Sequence, residues 1–360
     1  MEYDSKLVEK LLAPGEMLDV SGVPVEYKAA PDGEPHALDP RQLKMEQAMH
    51  EKMSKQSGPP PSLQQIRDSM GGFNYNLCRQ ELWTRYIEVP TSYGKVPVWG
   101  YYPRFGRKIR PALIYVHGGA FFGGTPFTTE NPCRLVADRG DAIVWNVEYS
   151  LAPEHPYPIP CTQVYEVICW LHDHAAEFGM DADKIAIAGD SAGGNMCASA
   201  AQMDRDKGTH YVKAEVLLYA KLTFTNYGLE GYKRDETAFE IIDEQIYLLP
   251  GMLHIGSDPS NKGDADVYVQ GKYDIKTPYI SPAFGDCADL PRTLFILAEY
   301  DGLRLEGEFY AKKLLDAGVP VRVLRYGGVC HGFFDALGIL PQSEAAANEI
   351  ANLLNDLQGE

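Results

Sequence analysis

The sequence predicts an α/β fold in which a mainly parallel sheet carries helices on both faces. From Leu82 onward, short apolar runs of strand length alternate with segments of helical periodicity. Several of these runs are continuously apolar, which is typical of strands buried on both faces. The chain has 360 residues, of which 45% are hydrophobic, enough to bury such a sheet in one large core.

Residues 1–80 precede this alternation and differ from it. They are polar, contain proline-rich stretches at 31–40 and 59–61, and predict one helix over 39–57. A thin apolar stripe on that helix comprises Leu43, Met45, Met49 and Met53. We interpret residues 1–80 as an N-terminal lid segment, because their apolar content is too low to form a core. The stripe is expected either to line a pocket or to pack against the sheet domain.

Residues 81–220 are expected to form the first part of the sheet domain. A hairpin is predicted at 86–101, because residues 92–94 carry a turn signal between two strand patterns. Further strands are predicted at 111–117, 142–147, 185–188 and 216–219, with helices at 162–178 and from Ala192 onward.

Residues 221–279 interrupt the alternation and are interpreted as a lid insertion between two late strands. This stretch is polar and aromatic, with one short helix predicted around 239–249. Residues 280–360 then complete the sheet domain, with strands at 293–298 and 321–326 and helices at 305–317 and 343–357. We expect the insertion and the N-terminal segment to lie together over the sheet.

The sharpest local motif is G-x-S-x-G at residues 189–193, directly after a predicted strand and at the start of a helix. A serine on such a turn has strained backbone angles, and the flanking glycines relieve crowding so that its hydroxyl projects from the sheet edge. Ser191 is therefore the predicted nucleophile, and Ala192 offers a backbone N–H beside it.

A second glycine-rich loop, residues 117–124, follows another buried strand. Such a loop can turn backbone N–H groups toward one point, as an oxyanion hole requires. Gly118, Gly119 and Ala120 are the candidate donors, together with Ala192. No phosphate-binding glycine pattern follows a strand.

A serine nucleophile needs a base and an acid that orients the base. Of nine histidines, His331 is the one that follows the last predicted strand, in a glycine-flanked loop. Asp301 follows the strand before it and is the expected acid, with Glu299 as the alternative. The chain order Ser, Asp, His differs from the orders of chymotrypsin-like and subtilisin-like enzymes.

These motifs resemble the hormone-sensitive-lipase-like, or microbial family IV, carboxylesterases of the α/β-hydrolase fold. The matching segments are residues 117–120, 149–158, 189–194, 298–307, 317–321 and 331–333. The resemblance implies hydrolysis of carboxylic esters through an acyl-enzyme, oxyanion donors at Gly118 or Gly119, Ala120 and Ala192, and a lid built from an N-terminal segment plus an insertion.

The chain departs from the family pattern at four positions. Ala120 replaces the fourth glycine of the oxyanion motif, which we expect to be tolerated only with a negative φ. Ser150 replaces a usual arginine, while Gly302 and Leu305 replace a usual proline and aspartate beside the triad acid. These changes bear on the substrate, and Glu154 is expected to tie loops together.

A short-chain acyl ester is the expected substrate, because a pocket closed by a lid rejects long chains. Phe121, Phe122 and Phe224 are candidates to line an aromatic pocket for acetylated, aryl or hydroxycinnamoyl esters, with ordinary lid packing as the alternative for each. A non-catalytic binding protein on the same fold, and an amidase or peptidase, are the competing functions.

Composition bears on the other partners. The net charge of −17 argues against nucleic-acid binding, and no apolar run is long enough to span a membrane. Seven scattered cysteines without a C-x-x-C pair favour reduced thiols and a cytoplasmic protein, with a removed leader as the alternative. The reaction needs no cofactor and no metal; homodimer formation is left open.

Overall fold

A ten-stranded sheet organises the residues that the computed structural model describes, which are 2–55, 58–253 and 263–359. In chain order the strands are β1 (Glu16–Val20), β2 (Val23–Lys28), β3 (Leu82–Thr91), β4 (Gly94–Pro103), β5 (Arg110–Val116), β6 (Ile143–Val147), β7 (Met180–Asp190), β8 (Val212–Leu218), β9 (Arg292–Tyr300) and β10 (Val321–Cys330). Their order across the sheet is β1-β2-β10-β9-β8-β7-β5-β6-β4-β3.

The sheet is mainly parallel. Neighbouring strands from β2 across to β6 pair in parallel, whereas β1, β4 and β3 add antiparallel strands at the two ends. All five residues of β6 and six of the seven in β5 are buried, as expected for strands covered on both faces. The predicted α/β fold class is therefore confirmed.

Helices cover both faces of this sheet. In chain order they are α1 (Ser5–Leu12), α2 (Pro40–Ser54), α3 (Leu63–Ser69), α4 (Glu130–Gly140), α5 (Ile159–Asp173), α6 (Ala175–Phe178), α7 (Ala192–Asp206), α8 (Pro250–Leu253), α9 (Gly263–Tyr268), α10 (Leu303–Asp316) and α11 (Pro341–Gly359). α1, α4 and α11 share one apolar cluster, and α5, α7 and α10 share the other. The two clusters sandwich the sheet.

The N-terminal segment contributes more to the sheet than its polarity predicts. Residues 16–28, which we expected within a lid segment, form β1 and β2, and β2 pairs in parallel with β10. Val23 and Val25 are buried at this junction. A short edge hairpin needs few apolar residues, because they pack against a core that the neighbouring strands already form.

Two helix predictions also differ from the structure. The helix expected around 239–249 is absent from the described residues, where a single 3₁₀ turn at Ile246–Leu248 stands instead. α4 lies in a stretch where no helix was predicted, although its buried residues Cys133, Val136, Ala137 and Gly140 recur at helical spacing. The helix predicted over 39–57 is α2, and its last two predicted residues, 56 and 57, lie outside the described residues.

The N-terminal segment and the insertion contact each other beside the sheet. The Leu38 amide donates to Gln245 Oε1 at 2.8 Å, and the Ile242 amide donates to His36 O at 2.8 Å. α2 faces this contact with Leu43, which packs on Leu249 and its apolar neighbours. The methionine stripe is not part of it: Met45, Met49 and Met53 are 37%, 53% and 65% exposed.

Among the helices of the described residues, none combines the length and the apolar character that a membrane span requires.

Candidate active site

Ser191 occupies the turn between β7 and α7. Its backbone has φ 52° and ψ −117°, a combination that L-residues rarely adopt, so the strain expected at this turn is present. The flanking glycines make the turn possible. A Cβ on Gly193 would lie 2.0 Å from the Val116 carbonyl oxygen, and one on Gly189 would lie 2.5 Å from the Gly193 carbonyl carbon.

Two hydrogen bonds join Ser191, His331 and Asp301 in a line. The three residues follow β7, β10 and β9, so they meet at the carboxyl edge of the parallel strands. His331 Nε2 lies 2.9 Å from Ser191 Oγ, and its Nδ1 lies 2.7 Å from Asp301 Oδ2. The other oxygen of Asp301 accepts the Leu303 amide at 2.9 Å, which fixes the carboxylate beneath the imidazole.

The charges around the imidazole raise the basicity of His331. Burial opposes protonation, but the charge and hydrogen bond of Asp301 outweigh it and raise the pKa of His331. Asp190 adds to this rise, whereas Lys221 lowers the pKa. The Tyr219 ring packs edge-on at 4.9 Å from the imidazole centroid and restricts its orientation. A base held this way is suited to accept the serine proton.

Glu299, the alternative acid, is engaged elsewhere. Its carboxylate accepts the Tyr27 hydroxyl at 3.1 Å and the Gly328 amide at 2.8 Å. Burial raises the pKa of Glu299. Of the two carboxylates on this turn, Asp301 is the one hydrogen-bonded to His331.

The glycine loop after β5 carries three consecutive residues with positive φ: Gly119 at 126°, Ala120 at 52° and Phe121 at 67°. The expectation that Ala120 keeps a negative φ is therefore wrong. For a residue with a Cβ, this conformation costs on the order of 1–3 kcal/mol. Neither the Gly119 nor the Ala120 amide donates a hydrogen bond within the described residues, so both can face an incoming oxyanion.

Gly118 differs, which corrects its expected role as an oxyanion donor. Its N–H donates to Asp190 Oδ1 at 2.9 Å, and the same oxygen accepts the Tyr115 hydroxyl at 2.9 Å. Burial raises the pKa of Asp190. Asp190 thus ties the glycine loop to the nucleophile turn. We missed this role from the sequence, although Asp190 lies inside the G-x-S-x-G motif.

The remaining donor candidates are Gly119, Ala120 and Ala192. Ala192 opens α7, and the first amides of a helix have no partner within it. His117 begins the glycine loop but is a packing residue: its ring stacks on Tyr149 at 4.4 Å, and burial lowers the pKa of His117 to about 4. His117 is therefore neutral near pH 7 and too weak a base to compete with His331.

The three candidate pocket phenylalanines occupy different environments. Phe121 is fully buried, stacks on Tyr268 at 4.1 Å and tilts against Phe224 at 5.4 Å. Phe224 and Phe122 are only partly buried. Phe121 therefore supports the glycine loop from inside the core, and Phe224 keeps an accessible surface.

Arg67, on α3, reaches the glycine loop from the N-terminal segment. Its Nε donates to Phe122 O at 2.6 Å, and its Nη2 donates to Ala152 O at 2.9 Å. It also forms a bidentate pair with Glu154 at 2.9 and 2.6 Å, so Glu154 does tie loops together. No sequence signal marked Arg67, because its partners lie 55 or more positions away.

Within residues 2–55, 58–253 and 263–359, no group of three or more His, Cys, Asp or Glu side chains could hold a metal ion. The arrangement offers a candidate nucleophile, a candidate base hydrogen-bonded to a carboxylate, and a set of candidate backbone donors.

Known proteins share this architecture. A family model described as alpha/beta hydrolase fold matches residues 113–335. The chain belongs to this family. Esterase LipI of Mycobacterium tuberculosis is 33% identical over 241 residues, covering 66% of this chain and 70% of that protein. Carboxylic ester hydrolase LipN of the same organism is 33% identical over 283 residues, covering 74% of this chain and 69% of that protein.

A solved structure extends the match. The hyperthermophilic esterase from the archaeon Pyrobaculum calidifontis aligns with a TM-score of 0.70 and 30% sequence identity, covering 90% of this chain and all of that chain. The resemblance to hormone-sensitive-lipase-like esterases inferred from the motifs is thereby confirmed.

Proposed function

We propose that this chain hydrolyses short-chain carboxylic esters through an acyl-enzyme on Ser191, with His331 as general base and Asp301 as the acid that orients it. The observation that carries the proposal is the line of hydrogen bonds from Ser191 Oγ to His331 at 2.9 Å and on to Asp301 at 2.7 Å. Carboxylic ester hydrolysis is the reaction class of this chain, as its esterase relatives support.

The chemistry follows from the geometry. Ser191 Oγ attacks the ester carbonyl while His331 Nε2 takes its proton, and the carboxylate of Asp301 stabilises the imidazolium that forms. The amides of Gly119, Ala120 and Ala192 stabilise the negative oxygen of the tetrahedral intermediate. His331 then returns the proton to the departing alcohol. Water repeats the sequence and releases the acid.

The aromatic stack beside the glycine loop supports a short or flat acyl group. Phe121 and Tyr268 are fully buried, and the partly buried Phe224 ring packs against both of them. An acyl chain that reaches Phe224 meets a closed aromatic floor, and each additional CH₂ causes strain instead of contributing about 0.8 kcal/mol of burial. Acetylated esters and aryl or hydroxycinnamoyl esters fit this description.

A catalytic role explains the geometry better than ligand binding alone. A binding protein has no need for a serine held at φ 52° against a histidine whose pKa is raised. We further propose a cytoplasmic location, because seven scattered cysteines suit a reducing compartment.

The test combines covalent labelling with a substrate panel. A phosphonate ester should label Ser191, and Ser191→Ala should abolish labelling and lower kcat by about 10⁴ to 10⁶. Ser199→Ala, on the same helix, is the matched control and should keep both properties. Across p-nitrophenyl esters, kcat/KM should be highest at about two to six acyl carbons. Activity of Ser191→Ala within tenfold of the unmodified protein would refute the mechanism, and a maximum beyond about eight carbons would refute the proposed substrate class.

A further inference from the structure

The turn that carries the triad acid is bound to the insertion. We call residues 299–304 the acid turn and residues 221–279 the insertion. Three hydrogen bonds join Gly302 N–H to Met252 O (3.0 Å), the Tyr300 hydroxyl to Glu240 O (3.0 Å) and Arg304 Nη2 to Ala238 O (2.7 Å). Every acceptor is a backbone carbonyl of the insertion, so the path of its backbone bears directly on the acid turn.

Arg304 holds both sides of this contact with one guanidinium. Its Nη1 donates to Glu299 O at 2.8 Å, within the acid turn, while Nη2 reaches the insertion. The guanidinium carbon lies 4.3 Å from the ring centroid of Phe239, another insertion residue, and only 3% of Arg304 is exposed. The planar fork of an arginine presents such donors at a fixed separation, which a lysine ammonium cannot do.

The contact matters because the acid turn sets the position of Asp301. The Arg304 amide donates to Asp301 O at 3.0 Å, so the first turn of α10, which bears the guanidinium, is bonded directly to the acid. Asp301 Oδ2 must stay near 2.7 Å from His331 to keep the imidazole oriented. Displacements of about 1 Å in such an arrangement can cost 10²-fold in rate.

We propose that Arg304 is a positioning residue that ties the insertion to the acid turn and thereby keeps Asp301 in contact with His331. This inference rests on the proposed function of Asp301 as the triad acid. It gives the insertion a role in catalysis besides any role in covering the substrate.

The test replaces Arg304 by lysine, which keeps the positive charge and removes the fork. Arg304→Lys should lower kcat by about 10- to 100-fold and leave KM nearly unchanged. The acid limb of the kcat/KM profile should move to lower pH, because a displaced Asp301 no longer raises the pKa of His331. The other charged groups that act on the imidazole, Asp190 and Lys221, stay in place, as does the ring of Tyr219.

Arg205→Lys is the matched control. Arg205 also bridges two backbone carbonyls of a neighbouring loop, Asp286 O at 2.6 Å and Ala288 O at 3.0 Å, but it lies at the far end of α7 from Ser191. Any effect of Arg205→Lys should be confined to Tm; its kcat and pH profile should match those of the unmodified protein. If Arg304→Lys behaves like it, the proposal is overturned.

A second variant covers the case in which Arg304→Lys does not fold. Tyr300→Phe removes only the hydroxyl that donates to Glu240 O, without changing charge or shape. It should lower kcat by about two- to tenfold, as expected for one hydrogen bond, with the acid limb again at lower pH. An unchanged kcat and profile would show that contacts with the insertion do not position Asp301, and would overturn the proposal. If the unmodified protein neither hydrolyses esters nor reacts at Ser191, the proposed function itself fails.

Discussion

Replacing each carboxylate of the acid turn by its amide, one at a time, distinguishes the residue that orients His331 from its neighbour. In Asp301→Asn, the amide replaces an oxygen that lies 2.7 Å from His331 Nδ1. An amide N–H at that place donates to Nδ1 and favours the tautomer that carries its proton on Nε2, facing Ser191. That histidine cannot accept the serine proton. The variant also loses the charge that stabilises the imidazolium.

The expected loss is large for Asp301 and small for Glu299. Asp301→Asn should lower kcat by about 10⁴, or about 5 kcal/mol of transition-state stabilisation. Glu299→Gln keeps an acceptor oxygen for the Gly328 amide or the Tyr27 hydroxyl, and burial already raises the pKa of Glu299 toward its neutral form. Its kcat should stay within about tenfold of the unmodified protein.

The assay is the kcat/KM profile of a soluble aryl ester from about pH 5 to 9, with Tm as a check on folding. Asp301 raises the pKa of His331, so its loss lowers that pKa and the acid limb moves to lower pH. Glu299→Gln should leave the limb where it is. A larger loss of kcat in Glu299→Gln than in Asp301→Asn would show that the orienting acid is misassigned.

Two further predictions concern groups outside the reacting atoms. Burial raises the pKa of Glu215 to about 8 from 4.5, so the folded state keeps a proton that the unfolded state releases, and stability falls as pH rises across this range. Glu215→Gln lacks this titration. The difference in unfolding free energy between Glu215→Gln and the unmodified protein should therefore shift by about 3 kcal/mol in favour of the variant as the pH rises from 5 to 8. Denaturant unfolding at several pH values checks this; a pH-independent difference would contradict it. Met45→Ala, Met49→Ala and Met53→Ala should each change stability by less than about 0.5 kcal/mol and leave the acyl-length profile unchanged, because these side chains are exposed. A shifted acyl-length profile in any of the three variants would indicate that the methionines line the acyl pocket.

The central strands and the nucleophile turn were predictable because their signals are local. A continuous apolar run of strand length is typical of a sheet covered on both faces, as in β5 and β6. The order Ser191, Asp301, His331 then follows from the strand ends to which each residue is attached. Parallel strands bring their carboxyl ends to one edge, so side chains 140 positions apart meet there.

The parts that could not be predicted depend on contacts between distant segments. β2 alternates like an exposed edge, and nothing within it indicates that β10 is its partner. Gly118 resembles its neighbours in the glycine loop, and only the position of the Asp190 carboxylate shows that its amide is engaged. From the sequence, Gly302 was only a departure from a usual proline. In the structure its amide N–H donates a hydrogen bond to the insertion, which a proline could not do.

The glycine loop, which carries the proposed oxyanion donors, is held in a strained conformation by contacts from two other parts of the chain. Ala120 and Phe121 both hold positive φ, at a combined cost on the order of 2–6 kcal/mol, and such a conformation persists only when its surroundings over-determine it. Asp190 holds the loop from the nucleophile turn, and Arg67 holds it through Phe122 O from the N-terminal segment. We therefore expect the N-terminal segment to be required for the geometry of the proposed donors, besides any role in covering the substrate.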